Sequence, residues 1–152
     1  MELFDIDSTT NSGYPLDQNL YEAGKGMSGG ARIVAKGGAI IIAAECRAGI
    51  PDGSPYDQLL RRARDPEDIL ALIARETYPE QWQGQVQALI QRKATVFIHS
   101  SLADEVIRGA HLLPAPDIAA VVRRLQEEAA RPLSIAVLPQ GPLTIPYLVE
   151  KG

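Results

Sequence analysis

Side chains that bind metals or form disulfides are scarce in this sequence. Its 152 residues include a single cysteine, Cys46, and two histidines, His99 and His111. One cysteine excludes an internal disulfide framework and is typical of a reducing cytoplasm. The three side chains lack the close spacing of a zinc-type site. We therefore predict that this chain holds no metal, and we interpret each histidine as a structural, hydrogen-bonded residue.

Long apolar runs and excess positive charge are also missing. The longest uninterrupted apolar run covers residues 39–44, whereas a membrane-spanning helix needs about 20 apolar residues. The first residues are acidic, where a secretory signal would be basic. The formal net charge of −4 and the pI near 5.2 argue against a dedicated nucleic-acid binder. These absences predict a cytoplasmic protein that binds neither membranes nor nucleic acid.

Short apolar segments predict the strands. Residues 39–44 are the clearest case, because a continuous run of this kind is typical of a central parallel strand covered on both faces. Residues 7–13 are polar and predict a loop. Further strands are predicted over residues 2–6, 94–99 and 133–138, with 144–149 as an edge strand that tolerates its proline.

Segments with helical spacing separate these strands. The first helix is predicted to begin with Asp17 or Asn19 as its N-cap. It is predicted to break near Gly26 and to restart near Ser28, since each glycine inside a helix costs about 1 kcal/mol against alanine. Strands that alternate with helices favour an α/β fold, here one three-layer, Rossmann-like domain over residues 1–152 with a mainly parallel sheet. The later helices are predicted over residues 55–64, 65–76, 79–93, 102–109 and 116–130.

Residues 24–29 match the letters of the dinucleotide-binding pattern G-x-G-x-x-G. That pattern needs its glycines between a strand and a helix, so that the backbone can approach a pyrophosphate. Here the residues before Gly24 predict a helix, although an acidic residue, Glu45, does follow about 20 positions later. A nucleotide-binding Rossmann-like domain therefore remains an alternative with the wrong local context.

The segment between the first strand and the first helix is the best candidate for a ligand site, because open α/β sheets bind ligands at the carboxyl ends of their strands. Tyr21 and Lys25 are spaced i, i+4, and Glu22 and Lys25 are spaced i, i+3, so all three share one helical face. Such a face near a helix N-terminus suits an anionic or hydroxylated small molecule. The alternative is a surface helix with an ion pair worth a few tenths of a kcal/mol.

Four stretches of the sequence form an ordered set of motifs. The first reads GYPLDQNLY at residues 13–21 and continues with KGM at 25–27. The others are GGAIIIAAEC at 37–46, QWQ at 81–83 and IAVLPQG at 135–141. In this order they resemble the C-terminal lobe of nickel-pincer lactate racemases and their relatives, and the resemblance covers nearly the whole chain.

This resemblance implies a two-lobed enzyme that inverts C2 of a small-molecule 2-hydroxy acid by reversible hydride transfer to a nickel-pincer mononucleotide. In that family the catalytic histidines, the cofactor lysine and the nickel ligand belong to the N-terminal lobe. The chain is therefore expected to be the substrate-closing lobe, with no catalytic, cofactor-binding or metal residue of its own, and to be inactive without its partner lobe. A stand-alone binding or regulatory module without catalysis is the alternative.

The resemblance also implies which residues bind substrate, namely Tyr21, Glu22, Lys25 and Trp82. Lys25 would pair with the substrate carboxylate, and Tyr21 would form an apolar wall with a polar tip. Trp82 would lie near the cleft, although its helical spacing with apolar neighbours favours core packing. Glu22 replaces the glutamine of the lactate enzymes, which predicts a larger hydroxy acid whose extra hydroxyls Glu22 accepts.

Overall fold

The computed structural model describes residues 3–147, which form an alternating series of strands and helices. In chain order the elements are β1 (Phe4–Thr10), α1 (Leu20–Gly30), β2 (Val34–Ala43), α2 (Pro55–Arg62), α3 (Pro66–Arg75), α4 (Gln81–Lys93), β3 (Thr95–His99), α5 (Asp104–Gly109), β4 (Leu113–Pro114), α6 (Ile118–Ala129), β5 (Ile135–Leu138) and a 3-10 turn (Gly141–Leu143). None of the described helices is long and apolar enough to cross a membrane.

The five strands form one parallel sheet in the order β4-β3-β2-β1-β5. The chain builds outward from β1 through β2, β3 and β4, and then returns to place β5 on the other side of β1. The predicted α/β fold with a parallel sheet is confirmed. In sheets of this kind ligands bind beyond the carboxyl ends of the strands, near the point where the strand order reverses, and the loop from β1 to α1 begins there.

Helices cover both faces of the sheet, and alternate residues of the same strand enter different cores. Ile40 and Ile42 of β2 pack with the helices α1 to α5. Ile41, between them, points to the opposite face and packs with Phe97 and with Val121 of α6. All three isoleucines are fully buried, which explains why this strand reads as a continuous apolar run.

Two strands extend further than their sequence predicts. β1 continues to Thr10, so part of the predicted polar loop is a strand that pairs with β2 and β5 and in which Asp7 and Thr9 are buried. β2 begins at Val34, and Gly37, at φ +81°, lies within it where the pairing with β1 shifts register. Here tertiary pairing overrides the local signals of polar residues and glycines.

One predicted feature is wrong, one strand was missed, and one predicted strand lies partly outside the described residues. α1 runs unbroken from Leu20 to Gly30, because its glycines serve close packing and do not interrupt the helix. β4 was not predicted, since a two-residue strand is too short to show a period. Residues 144–147 form no strand after the 3-10 turn, whereas 148 and 149 fall beyond the part of the chain that the structure describes.

Candidate functional site

Two asparagines fix the start of α1. Asn19 is the N-cap, and its side-chain oxygen accepts a hydrogen bond from the backbone N–H of Glu22 at 2.9 Å. Buried Asn11 donates to the carbonyls of Leu16 and Glu22, and its Oδ1 accepts from the N–H of Gly26 at 2.9 Å. These bonds tie the end of β1 to the first two turns of α1. The residues at the helix start are therefore held in place on the carboxyl side of the sheet.

Three of the predicted site residues lie together on this first part of α1. The Lys25 ammonium donates a hydrogen bond to the Glu22 carboxylate, so the two form an ion pair across one helical turn. The Lys25 side chain is 56% exposed, whereas that of Glu22 is 25% exposed. The Lys25 ammonium is therefore the more exposed partner of the pair, and the Glu22 carboxylate is the more buried one.

The aromatic ring of Tyr21 is held by a second tyrosine. Tyr21 meets Tyr56 of α2 edge-to-face, with 5.6 Å between the ring centroids and 89° between the planes. Tyr56 is fully buried, and its hydroxyl donates to Oε1 of Gln87 on α4. Burial raises the pKa of Tyr56 far above its ordinary value, so its phenol stays neutral. Tyr21 thus packs against a fixed neighbour.

Trp82 lies on the outer surface of α4, with 54% of the residue exposed. The interpretation of Trp82 as a core residue is wrong. The buried face of α4 is formed by other residues, among them Gln83, Gln87 and Ile90. Because glutamines occupy this buried face, the apolar spacing of Trp82 and its neighbours pointed to the wrong side of the helix. Trp82 is available to a ligand or to another polypeptide segment.

Helix α4 packs beside α1 through the residue that follows Trp82. Nε2 of Gln83 donates to the backbone carbonyl of Tyr21 at 2.7 Å, although 62 positions separate the two in the sequence. The structure therefore brings Tyr21, Glu22 and Lys25 onto one helix and places Trp82 on the neighbouring helix.

The glycines of the G-x-G-x-x-G stretch are points of close packing within α1. A Cβ on Gly24 would lie 2.1 Å from Nε2 of Gln83, and one on Gly26 would lie 2.7 Å from Cδ1 of Ile42. A Cβ on Gly29 would approach the carbonyl oxygen of Gly141 to 3.1 Å. Because this stretch begins after the first turn of the helix, it lacks the strand-to-helix position that the dinucleotide pattern needs.

The metal-binding side chains stay apart. Across residues 3–147 no three His, Cys, Asp or Glu side chains are grouped so as to hold a metal ion. Nδ1 of His99 is 2.8 Å from the carbonyl oxygen of Ala115, and Nε2 of His111 is 3.0 Å from that of Leu60. Both histidines are hydrogen-bonded structural residues, as predicted. Cys46 is fully buried, and burial raises the pKa of its thiol to about 11.

Sequence reasoning missed one polar region beside the site. Asp17, buried in the β1–α1 loop, accepts from the backbone N–H of Glu45 at 3.1 Å and so joins this loop to the one that follows β2. A cavity of about 410 Å³ lies next to it, lined partly by His99 and Ser100 at the end of β3. The sequence offered only a weak signal for this region, namely that polar residues follow two buried strands.

Comparison with known proteins identifies a family. Residues 2–145 match the family described as the lactate racemase C-terminal domain. The lactate racemase of Thermoanaerobacterium thermosaccharolyticum is 35% identical over 143 residues, and that of Lactiplantibacillus plantarum is 32% identical over 142 residues. Each alignment covers 90% of this chain and 33% of the relative. The chain thus spans about a third of the length of these curated relatives.

Solved structures give the same result. The lactate racemase apoprotein from Thermoanaerobacterium thermosaccharolyticum superposes with a TM-score of 0.84 at 32% identity, covering 99% of this chain and 36% of that one. A Thermotoga maritima protein with a TM-score of 0.54 and 11% identity, covering 95% of this chain and 37% of that one, shares the fold alone. The chain belongs to the lactate racemase C-terminal domain family.

Proposed function

We propose that this chain is the substrate-binding lobe of an enzyme that racemises or epimerises a 2-hydroxy acid at C2. The observation that carries the proposal is the shared face of Tyr21, Glu22 and Lys25 at the start of α1, in a member of the lactate racemase C-terminal domain family. This face lies on the carboxyl side of a parallel sheet, where such folds bind small molecules.

Each of these residues has a distinct part in binding. The exposed Lys25 ammonium would bind the substrate carboxylate, assisted by the partial positive charge at the N-terminus of α1. Tyr21, steadied by Tyr56, would offer an aromatic surface and a hydroxyl. Trp82, on the outer side of α4, would close over the apolar part of the substrate.

The nickel-pincer mononucleotide implied by the family resemblance does not fit the residues of this chain. The described residues bring no three metal-ligating side chains together, and both histidines point a ring nitrogen at a backbone carbonyl. We therefore assign the cofactor to the part of the protein that corresponds to the rest of the relatives' length, and assign to this chain the binding and orientation of substrate.

Glu22 sets the class of substrate. Lys25 carries three N–H donors, so it can keep its bond to Glu22 and bind a substrate carboxylate at the same time. The Glu22 carboxylate can only accept hydrogen bonds, so it favours a substrate that brings hydroxyl donors and repels a second carboxylate. A polyhydroxylated 2-hydroxy acid, such as a sugar acid, meets this requirement better than lactate.

The experiment compares turnover of lactate and of sugar acids. It uses this chain together with the segment that supplies the remaining length of its relatives, as wild type and as Glu22→Gln. Because glutamine can also donate a hydrogen bond to a carboxylate, we expect the variant to shift preference toward lactate by about tenfold in kcat/KM, or about 1.4 kcal/mol.

Glu127→Gln provides the matched control for this comparison, since Glu127 is an exposed residue of α6, on the other side of the sheet. This variant should keep the wild-type preference. An unchanged preference in Glu22→Gln would overturn the assignment of Glu22. Absence of racemisation or epimerisation of every 2-hydroxy acid by the wild-type assembly would overturn the proposed function itself.

A further inference from the structure

Tyr21 is held from two sides by residues of α4 that the proposed function has not used. Gln83 donates to the backbone carbonyl of Tyr21, and Gln87, one helical turn later, accepts from the Tyr56 hydroxyl whose ring packs against that of Tyr21. Gln83 therefore contacts the backbone of Tyr21, and Gln87 supports the Tyr21 side chain indirectly through Tyr56. Both glutamines are buried, at 9% and 2% exposure.

We propose that Gln83 is a positioning residue, which sets α4 and its neighbouring Trp82 in register with the binding face of α1. This inference rests on the proposed function, because it treats Tyr21 and Trp82 as parts of one substrate cleft. Trp82 directly precedes Gln83 on α4. Any rotation or shift of α4 that broke the bond to Tyr21 would also move the Trp82 ring relative to Lys25.

The bond between Gln83 and Tyr21 lies largely away from solvent, since Gln83 is only 9% exposed. Nε2 of Gln83 lies 2.7 Å from the Tyr21 carbonyl oxygen. A buried amide that loses its partner is left without water to replace it, so the two helices are held at the spacing that satisfies this bond. The 2.7 Å contact thereby fixes a distance between two elements that are far apart in the sequence.

Gly24 is the steric counterpart of Gln83. A Cβ at Gly24 would lie 2.1 Å from Nε2 and 3.3 Å from the carboxamide carbon of Gln83. A side chain at position 24 would displace the Gln83 carboxamide from the carbonyl that it reaches one turn earlier in α1. Gly24 lowers the intrinsic stability of α1, but its missing side chain leaves the space in which Gln83 of α4 makes its contact.

The pair predicts a specific pattern in a set of variants. Gln83→Glu keeps the shape but removes the donor, and Gly24→Ala displaces the glutamine side chain. The double variant Gly24→Ala/Gln83→Ala removes the clash while leaving the Tyr21 carbonyl without its bond. If Gln83 acts by positioning α4, the two single variants and the double variant should each raise KM for the preferred 2-hydroxy acid about five- to tenfold. The change in kcat should be smaller.

The double variant separates positioning from folding. Because its methyl group fills the space that the amide left, it should recover most of the unfolding midpoint that Gly24→Ala loses, yet keep the raised KM. Gln85→Glu is the charge-matched control on the exposed side of α4 and should leave KM unchanged. A double variant that restored KM along with stability would show that Gln83 has only a structural role.

A second readout does not depend on turnover. Trp82 is the chain's single tryptophan, so acrylamide quenching of its fluorescence reports the setting of α4. Gln83→Glu should change the quenching constant, and Gln85→Glu should not. If the wild type turns over no 2-hydroxy acid, the proposed function fails, while the quenching result still decides whether Gln83 sets α4. Unchanged quenching together with unchanged KM would overturn the positioning role.

Discussion

At the scale of single residues, Asp7 is a buried carboxyl group that destabilises the fold when it is charged. It is completely buried on β1, and neither carboxylate oxygen has a hydrogen-bond partner among the described residues. One oxygen lies against Gly30, where a Cβ would approach it to 2.0 Å. Burial raises the pKa of Asp7 from 3.8 to about 6, because the interior disfavours the charged form.

This shift predicts how stability depends on pH. Between pH 4 and 6 the unfolded chain releases the Asp7 proton before the folded chain does, so the free energy of unfolding falls as the pH rises and stays lower above pH 6. Asp7→Asn removes the charge and should stabilise the protein by about 3 kcal/mol at pH 7. It should also flatten this part of the pH profile. Urea unfolding from pH 4 to 8 measures both effects.

Asp5, two residues earlier on the same strand, serves as a control because its pKa is shifted in the opposite direction. Its carboxylate accepts from the Arg131 guanidinium and from Ser134, and these bonds hold the pKa of Asp5 well below its ordinary value. Asp5→Asn should therefore destabilise the protein at pH 7, and its effect should shrink as the pH falls toward the ordinary pKa of an aspartate and below it. Equal effects of the two substitutions would contradict this account of Asp7.

At the scale of elements, α1 shows how packing outweighs helix propensity. Gly26→Ala would favour the helix by about 1 kcal/mol in isolation. In the protein its methyl group would meet Cδ1 of Ile42 at 2.7 Å and the backbone oxygen of Thr10 at 3.0 Å. We expect a net loss of about 1–3 kcal/mol in the free energy of unfolding, measured by chemical denaturation.

Gly109 is the control for that substitution, since it ends helix α5 and a Cβ there would meet nothing within 4 Å. Gly109→Ala should be neutral or slightly stabilising. If Gly26→Ala proved equally harmless, the close contact between α1 and the sheet would not be the reason for its glycines.

The same helix shows what sequence reasoning can reach. The spacing of Tyr21, Glu22 and Lys25 is a local property, so their shared face could be predicted from the sequence. The continuity of α1 could not, because it depends on Ile42, Gln83 and other residues far away in the chain. The exposure of Trp82 was missed for a similar reason, since the buried positions of α4 are partly glutamines whose partners lie on other elements.

At the scale of the whole molecule, the apolar strands 39–44 and 94–99 were predictable because strands covered on both faces carry a strong signal. The polar half of β1 was not, since its residues are buried only after β2 and β5 pair with it. The cavity beside Asp17 depends on the meeting of three chain segments. Local patterns thus predicted the layers of the fold, and long-range pairing determined where the site lies.

The length of the chain relative to its relatives leads to a prediction about catalytic activity. The chain spans about a third of its relatives' length, and the proposed function assigns its residues the binding of substrate and not the reaction itself. We expect the 152-residue chain alone to leave the enantiomeric ratio of a 2-hydroxy acid unchanged and to purify without stoichiometric nickel. Chiral chromatography and elemental analysis test this, and racemisation with bound nickel in the isolated chain would contradict it.

The position of β1 has a consequence for how the protein is made. Among the five described strands β1 is synthesised first, yet one of its two neighbours is β5, and Ser134, which precedes β5 and donates to Asp5, lies 129 positions later. Until β5 is synthesised, β1 has an open edge on which backbone N–H and C=O groups are unpaired. This sheet is therefore complete only once β5 has been made, and a chain that stalls before β5 presents that edge to any other strand nearby.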